Sequence, residues 1–306
     1  MRHFILVIVM VTLSVTAYAK DNFSGYFDIG ILGASSTDAL MVSSNNEKID
    51  NLSDSPDRFN NGVIYAQFDL KYKSNNLTYH AGTPFGGGKP EFEIGLSMDH
   101  DYGKCDISII LDPFGKVWED PYVLDRDGTT DRAVGIKFTH EGIGGTPHLA
   151  ILKITNHNIG DDVIGERYSS MKRDGYSYDF SVGYDFNNDK GKLTPFVGIT
   201  YDNRDGEAQE NKGAYIKFVD LKMLSSGMLI SAISLDYQKY SAENPIFNNT
   251  REDIKAGAFT SYRWMNPFGL KKKHISFMAG VSSRMSNIDF YDATSLVGGV
   301  TFGFDF

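Results

Sequence analysis

This sequence predicts an all-β fold: a transmembrane antiparallel up-and-down β-barrel of about fourteen strands, with twelve as the alternative. Three observations point there. Apolar residues recur with a period of two along nearly the whole chain, connections alternate between long and short, and the last strand has three phenylalanines on one face. Successive side chains of a strand point to opposite faces, so alternation of this kind marks strands with one oily and one polar side. Phe306, Phe304, Phe302 and Val300 alternate with Asp305, Gly303, Thr301 and Gly299. Tyr176, Tyr178, Phe180, Val182, Tyr184 and Phe186 alternate with Ser177, Asp179, Ser181, Gly183 and Asp185.

Taken in order, the predicted strands cover residues 23–32, 62–73, 76–82, 91–99, 104–112, 132–140, 147–156, 174–186, 192–202, 212–224, 228–240, 252–264, 273–284 and 294–306. The weakest are 76–82, which is short, and 212–224, which carries Lys217 and Asp220 on opposite faces. The short links, among them Ser74-Asn75 and Asp101-Tyr102-Gly103, are rich in the Asn, Asp, Gly and Ser that favour tight turns. The long links cover 33–61, 113–131, 157–173, 203–211, 241–251 and 285–293, with 83–90 shorter. Long loops at one end and tight turns at the other are the layout of a membrane barrel, whose closed ladder pairs every backbone group and leaves no edge in hydrocarbon. The phenylalanines of the last strand then meet acyl chains. An even strand count puts both termini on the tight-turn side, the periplasm.

With the oily faces turned to lipid, the lumen-lining candidates are Asp28, Asp69, Lys71, Glu93, Asp106, Asp112, Lys137, Asp179, Asp185, Asp202, Asp236, Lys255, Arg263 and Arg284. A lipid-facing Lys or Arg at the midplane costs roughly 2–4 kcal/mol, which explains the segregation. Acids outnumber bases in this set, so an open lumen would prefer cations weakly. Tyr72, Tyr79, Tyr201, Tyr237, Tyr262 and Trp264 fall near predicted strand ends, where aromatic girdles form.

Residues 1–19 read as a secretory signal peptide and 20–306 as the barrel. Arg2 precedes an apolar run from Phe4 to Val15, and Ala17-Tyr18-Ala19 supplies a cleavage signal. Loss of the leader moves the formal charge from −9 to −10 by removing Arg2 and no acid. Such acidity speaks against nucleic acid as a partner. Cys105 is the only cysteine, so no internal disulfide forms.

The C-terminal Phe306 with its alternating apolar residues resembles the signature of bacterial outer-membrane barrels. That resemblance implies the bacterial outer membrane as location, with its lipid and lipopolysaccharide as surroundings, and the barrel assembly machinery as a partner that reads Phe306. The stretches WEDPYV (Trp118 to Val123), NPIFNNTRED (Asn244 to Asp253), RDGYSY (Arg173 to Tyr178) and FYD (Phe290 to Asp292) resemble a proteobacterial outer-membrane family of unknown function. It implies a barrel and attaches no activity to it.

Passive, porin-like passage of small solutes is the function these features favour. The alternatives are a lipid- or peptide-processing outer-membrane enzyme and a closed structural or adhesive barrel. For an enzyme the best local candidate is NHNIGDD, with His157, Asp161 and Asp162, and no motif forces the three together. His80 is expected in the lumen, and His140 and Glu141 at the periplasmic end. DRDGTTD (Asp125 to Asp131) is only loosely like a calcium loop and lacks the terminal Glu, so no metal or other cofactor is expected. Trp118, Tyr122, Pro245 and Phe247 are unusually apolar for outer loops and are the contact candidates there. They either pack on one another as a lid, the favoured arrangement, or offer a surface to a ligand or partner.

Overall fold

Alternating sequence of this length closes on itself. The computed structural model describes residues 22–83 and 91–306; the expected leader and most of the connection 83–90 lie outside the described residues. The strands are β1 (Phe23–Ser36), β2 (Phe59–Ser74), β3 (Leu77–Gly82), β4 (Phe92–His100), β5 (Gly103–Trp118), β6 (Gly128–Glu141), β7 (His148–Ile159), β8 (Gly175–Tyr184), β9 (Phe186–Asn188), β10 (Gly191–Arg204), β11 (Asn211–Leu224), β12 (Gly227–Asn244), β13 (Asn249–Met265), β14 (Lys273–Ser286) and β15 (Ala293–Asp305). Each pairs antiparallel with its neighbour, and β15 pairs with β1. The ring has fourteen strands; β9 is a three-residue continuation of β8 that pairs with the start of β10.

The seam is held by the residues that drew attention in the sequence. Phe306 exchanges backbone hydrogen bonds with Gly25, and its ring stacks on Phe23 with centroids 5.6 Å apart. From there the register sets Phe302 opposite Ile29 and Val300 opposite Ile31, all facing outward. The outward faces are oily and uncovered by protein: Ile64 is 76% exposed, Ile31 64% and Ile199 61%. A soluble domain would bury such a belt, whereas hydrocarbon shelters it. Outward charges among the described strands keep to strand ends, as in the pairs Asp220–Lys222 and Lys239–Glu252. Outward aromatics gather at both rims, with Tyr178 stacked on Tyr201 at one and Tyr72 beside Tyr79 at the other.

The largest departure from the predicted boundaries is at β5, which runs past residue 112 to Trp118. Its register to β6 slips between Asp112 and Gly115. Pro113 cannot donate a ladder bond, and a bulge absorbs it before pairing resumes. A long loop thereby becomes a short link, 119–127, on a taller barrel wall.

Candidate functional site: the lumen and its lid

The inward register decides what lines the lumen. Of the predicted set, Asp28, Asp69, Lys71, Glu93, Asp106, Asp112, Lys137, Asp179, Asp202, Asp236, Lys255, Arg263 and Arg284 occupy strand positions of the inward face. Asp185 lies between β8 and β9, where Thr194 and Lys192 reach it from the inward face of β10. The register adds Lys153, opposite Lys137, together with Arg204 and Lys217. The same face also carries the acids Asp131, Asp253 and Asp305, so both signs line the wall. A strict parity reading of predicted strands 147–156, 192–202 and 212–224 reaches Lys153 and Lys217; Arg204 lay past the predicted strand end.

Most of these charges are partnered along the wall. Arg263 on β13 and His274 on β14 donate to Asp28 on β1, at 3.1 and 2.7 Å, and Thr301 adds its hydroxyl. Gly303 makes room for this: a Cβ there would collide with both His274 and Asp28. Lys137 reaches Glu93, Lys153 reaches Glu91 at 2.6 Å, and His80 meets Asp106 at 2.7 Å. Arg284 on β14 reaches Asp38, just beyond β1, at 2.7 Å. Each of these bonds bridges strands at most three places apart, whereas the far wall of a fourteen-stranded ring is seven places away. The pairs therefore run around the wall. Between them lie a cavity of about 120 Å³ beside Tyr26, Asp28 and Arg263, and one of about 230 Å³ beside Asp236, Lys255, Ser282 and Arg284.

Over the outer mouth six loops build a small core of their own. It comprises Ala39, Ile49, Tyr122, Ile164, Met171, Ala208, Ile288, Phe290 and Tyr291, with Leu40, Leu52, Ile246 and Phe247 packed against it. Tyr122 meets Phe247 edge to face at 5.7 Å and Phe290 at 5.5 Å. Trp118 is buried, donates to the Ala39 carbonyl at 3.0 Å and lies under the Arg126 guanidinium. Pro245 is half-buried in the same cluster of loops. Backbone bonds stitch loop to loop: Ile49 N–H to Leu124, Arg126 N–H to Glu47, and Ile164 N–H, in the short helix α1 (Val163–Arg167), to Glu119.

Polar anchors fix this lid to the barrel. Arg251 on β13 lies over the Tyr291 ring, 3.6 Å from its centroid, and donates to Asp253 at 2.9 Å. Arg284 donates to the Tyr291 carbonyl, and Asn244 donates to the Tyr291 hydroxyl at 2.8 Å. Arg173 holds Asp162 and also the Trp118 and Glu119 carbonyls. Burial, with Tyr122 alongside, pushes the Tyr291 hydroxyl well above its ordinary value. Burial also lowers the Arg126 guanidinium to about 10, even though Ala39 and Asn46 carbonyls accept from it.

The residues of the NHNIGDD stretch are drawn apart, and His157 finds other partners. Asp162 caps α1 and pairs with Arg173, and the Asp161 amide donates to the Thr129 hydroxyl. Both acids lie past the end of β7, while His157 points inward from the strand itself. There its Nδ1 meets Asp131 at 3.2 Å and its Nε2 meets Ser177 at 3.3 Å. This acid–imidazole–hydroxyl row lies across β6, β7 and β8. Acyl transfer also needs amide donors aimed at an oxyanion, and the strand amides here run in the barrel ladder. The carboxylates of DRDGTTD diverge: Asp125 pairs with Lys48, and Asp131 with His157. His80 stands on the inward face of β3, and His140 and Glu141 end β6 at the tight-turn side.

A family model described as "Protein of unknown function (DUF2860)" matches residues 22–305, and the chain belongs to that family. No curated protein matches the chain. Among solved structures, a bacterial polysaccharide outer membrane secretin aligns with a TM-score of 0.48 at 10% identity, over 94% of this chain and 100% of that one. The outer membrane channel DcaP of Acinetobacter baumannii aligns with a TM-score of 0.42 at 11% identity, over 94% and 99%. An anion-selective porin from Comamonas acidovorans aligns with a TM-score of 0.37 at 10% identity, over 92% and 98%. The barrel reading itself rests on the closed antiparallel ladder and its oily outward belt. The four stretches that carry the family resemblance all place residues in the lid or its anchors: Trp118 and Tyr122, Arg173, Asn244 to Arg251, and Phe290 with Tyr291.

Proposed function

We propose that this DUF2860 protein is a porin-like passive channel for small solutes in the bacterial outer membrane, closed at its outer mouth by its own loops. One observation carries the reading: among the described residues the inward charge pairs run around the wall, at most three strands apart, and none of them spans the lumen's axis. A lumen plugged by its own side chains would carry contacts that reach across the axis, and wall-parallel pairs satisfy the charges without closing it. With acids and bases both on the wall, discrimination by charge is slight and size governs passage. The buried loop core favours a second reading, a closed structural barrel. Liposome swelling separates the two. Proteoliposomes are given an iso-osmotic gradient of a small neutral sugar and then of a large one. The channel reading expects swelling with the small sugar when the lid is destabilised by Phe290→Ala, and none with the large one. No swelling from that variant, correctly folded and at high protein load, supports the closed barrel instead.

A further inference from the structure

Away from lumen and lid, three strands place their metal-binding side chains on one spot of the outer surface. His100 ends β4, Cys105 is the third residue of β5 and His140 lies one residue before the end of β6, all at the tight-turn rim. Cys105 is the direct ladder partner of His140 on one side and of Met98 on the other. Imidazole, thiol and imidazole thus share the outward face, all partly buried, with a ligand atom of each within 4.8 Å of the others. His100 Nε2 is 3.2 Å from the sulfur, and the two imidazole rings are 5.4 Å apart. Sulfur and nitrogen ligands on one tetrahedral ion stand roughly 3.5 Å apart, given bonds of about 2.3 and 2.0 Å. The side chains need little adjustment to reach that geometry.

From this arrangement we infer a binding site for a thiophilic late first-row cation, Zn²⁺ or Cu⁺, at the periplasmic rim of the barrel. The hydrogen-bond pattern prepares one ligand fully. His140 donates Nε2–H to the Tyr102 carbonyl at 3.3 Å, which leaves the Nδ1 lone pair free, as the outer partner of a metal-bound histidine does. His100 is held the other way. Its Nδ1 accepts from the Tyr102 amide at 3.1 Å, so the neutral ring carries its proton on Nε2, facing the sulfur. Loading the ion releases the thiol proton of Cys105 to solvent. It also moves the His100 proton from Nε2 to Nδ1, at the expense of the Tyr102 contact. Thiolate with two imidazoles suits both ions, and the thioether of Met98, next on the same face, favours Cu⁺. The site is built from rim side chains and is independent of whether the lumen conducts.

The test uses the purified, untagged barrel in detergent, stripped with chelator and titrated separately with Zn²⁺ and Cu⁺ against a chromophoric competitor. One equivalent is expected to bind, and Cys105→Ser and His140→Ala are each expected to weaken binding at least tenfold. Co²⁺ is expected to give a thiolate charge-transfer band that Cys105→Ser abolishes. These side chains face outward, so circular dichroism and the heat-dependent gel shift of a folded barrel are expected to match wild type. A loss of Cu⁺ affinity in Met98→Leu with Zn²⁺ affinity retained makes the thioether a fourth ligand to copper; otherwise the relative affinities of wild type decide between the two ions. Equal binding of both ions by wild type and by the Cys105→Ser/His140→Ala double variant overturns the site.

Discussion

At the outer mouth, side chains from six loops meet over the lumen; at the inner end, the closing contacts come from the strands themselves. Tyr122, Phe247, Phe290 and Tyr291 belong to connections, and their packing can be lost while the barrel ladder persists. Asp28, Arg263 and His274 belong to β1, β13 and β14, and with Thr301 on β15 hold the wall across the seam between first and last strands. The difference teaches which end can move. Local openings draw on segments whose contacts are separable from the global fold, and loops supply these where a closed ladder does not. On the proposed channel reading, the outer end is the gate and the inner end is the frame.

The largest expected effect sits in the frame. Asp28→Ala leaves Arg263 and His274 without their shared carboxylate in a buried setting. Breaking one partner out of such a group costs about 3–5 kcal/mol. Urea unfolding of the barrel in lipid vesicles is expected to shift accordingly and to report a weakened whole. Loss of loop protection alone, with global stability intact, would erase the distinction between the ends. In the gate, Phe290→Ala removes a ring that is 1% exposed. Core aromatics cost roughly 3–5 kcal/mol on truncation. Because loops yield more readily than a ladder, the lower part of that range is expected. Hydrogen exchange is expected to rise in residues 37–58, 119–127 and 287–292 and to stay slow in the strands.

A milder change sharpens the same contrast. Tyr122→Phe keeps the ring and removes one side of its hydroxyl contact with Tyr291. A hydrogen bond of this kind is worth about 1 kcal/mol net. The expected outcome is partial loop exchange with no change in unfolding midpoint. The smallest effect is one of pH. The Tyr291 hydroxyl is held above its ordinary value of 10.0, so its folded form keeps the proton longer than the unfolded one. Its contribution is full below the unfolded value and is lost as pH rises from there towards the folded one. Loop protection, the exchange rate corrected for base catalysis, is therefore expected to be flat through neutrality and to fall only in strong alkali, and Tyr291→Phe to delay that onset.

How much of this was legible follows the same divide. A period of two is a local signal, so the strands and their sidedness could be read from the residues, and the inward charges with them. β5 was cut short because Pro113 and Phe114 interrupt the alternation at the bulge. The lid is a different kind of object. Arg251 comes to lie over Tyr291, and Trp118 bonds Ala39, through contacts between segments far apart in the chain. Apolar loop residues hinted at packing without naming partners. Sequence proximity puts His157 beside Asp161 and Asp162, whereas the ladder delivers Asp131 and Ser177 from adjacent strands. The cluster of His100, Cys105 and His140 needed the register of β4, β5 and β6 before its members shared a face.

Single-channel conductance in planar bilayers, comparing the intact barrel with a variant lacking residues 40–58, tests the gate most directly. That deletion removes Ile49, Asn46 and Leu52, and with them the seat of Arg126 and part of the loop core. The account predicts rare, brief openings from the intact protein and long, frequent ones from the shortened form. A folded deletion variant that stays as silent as the parent would contradict it.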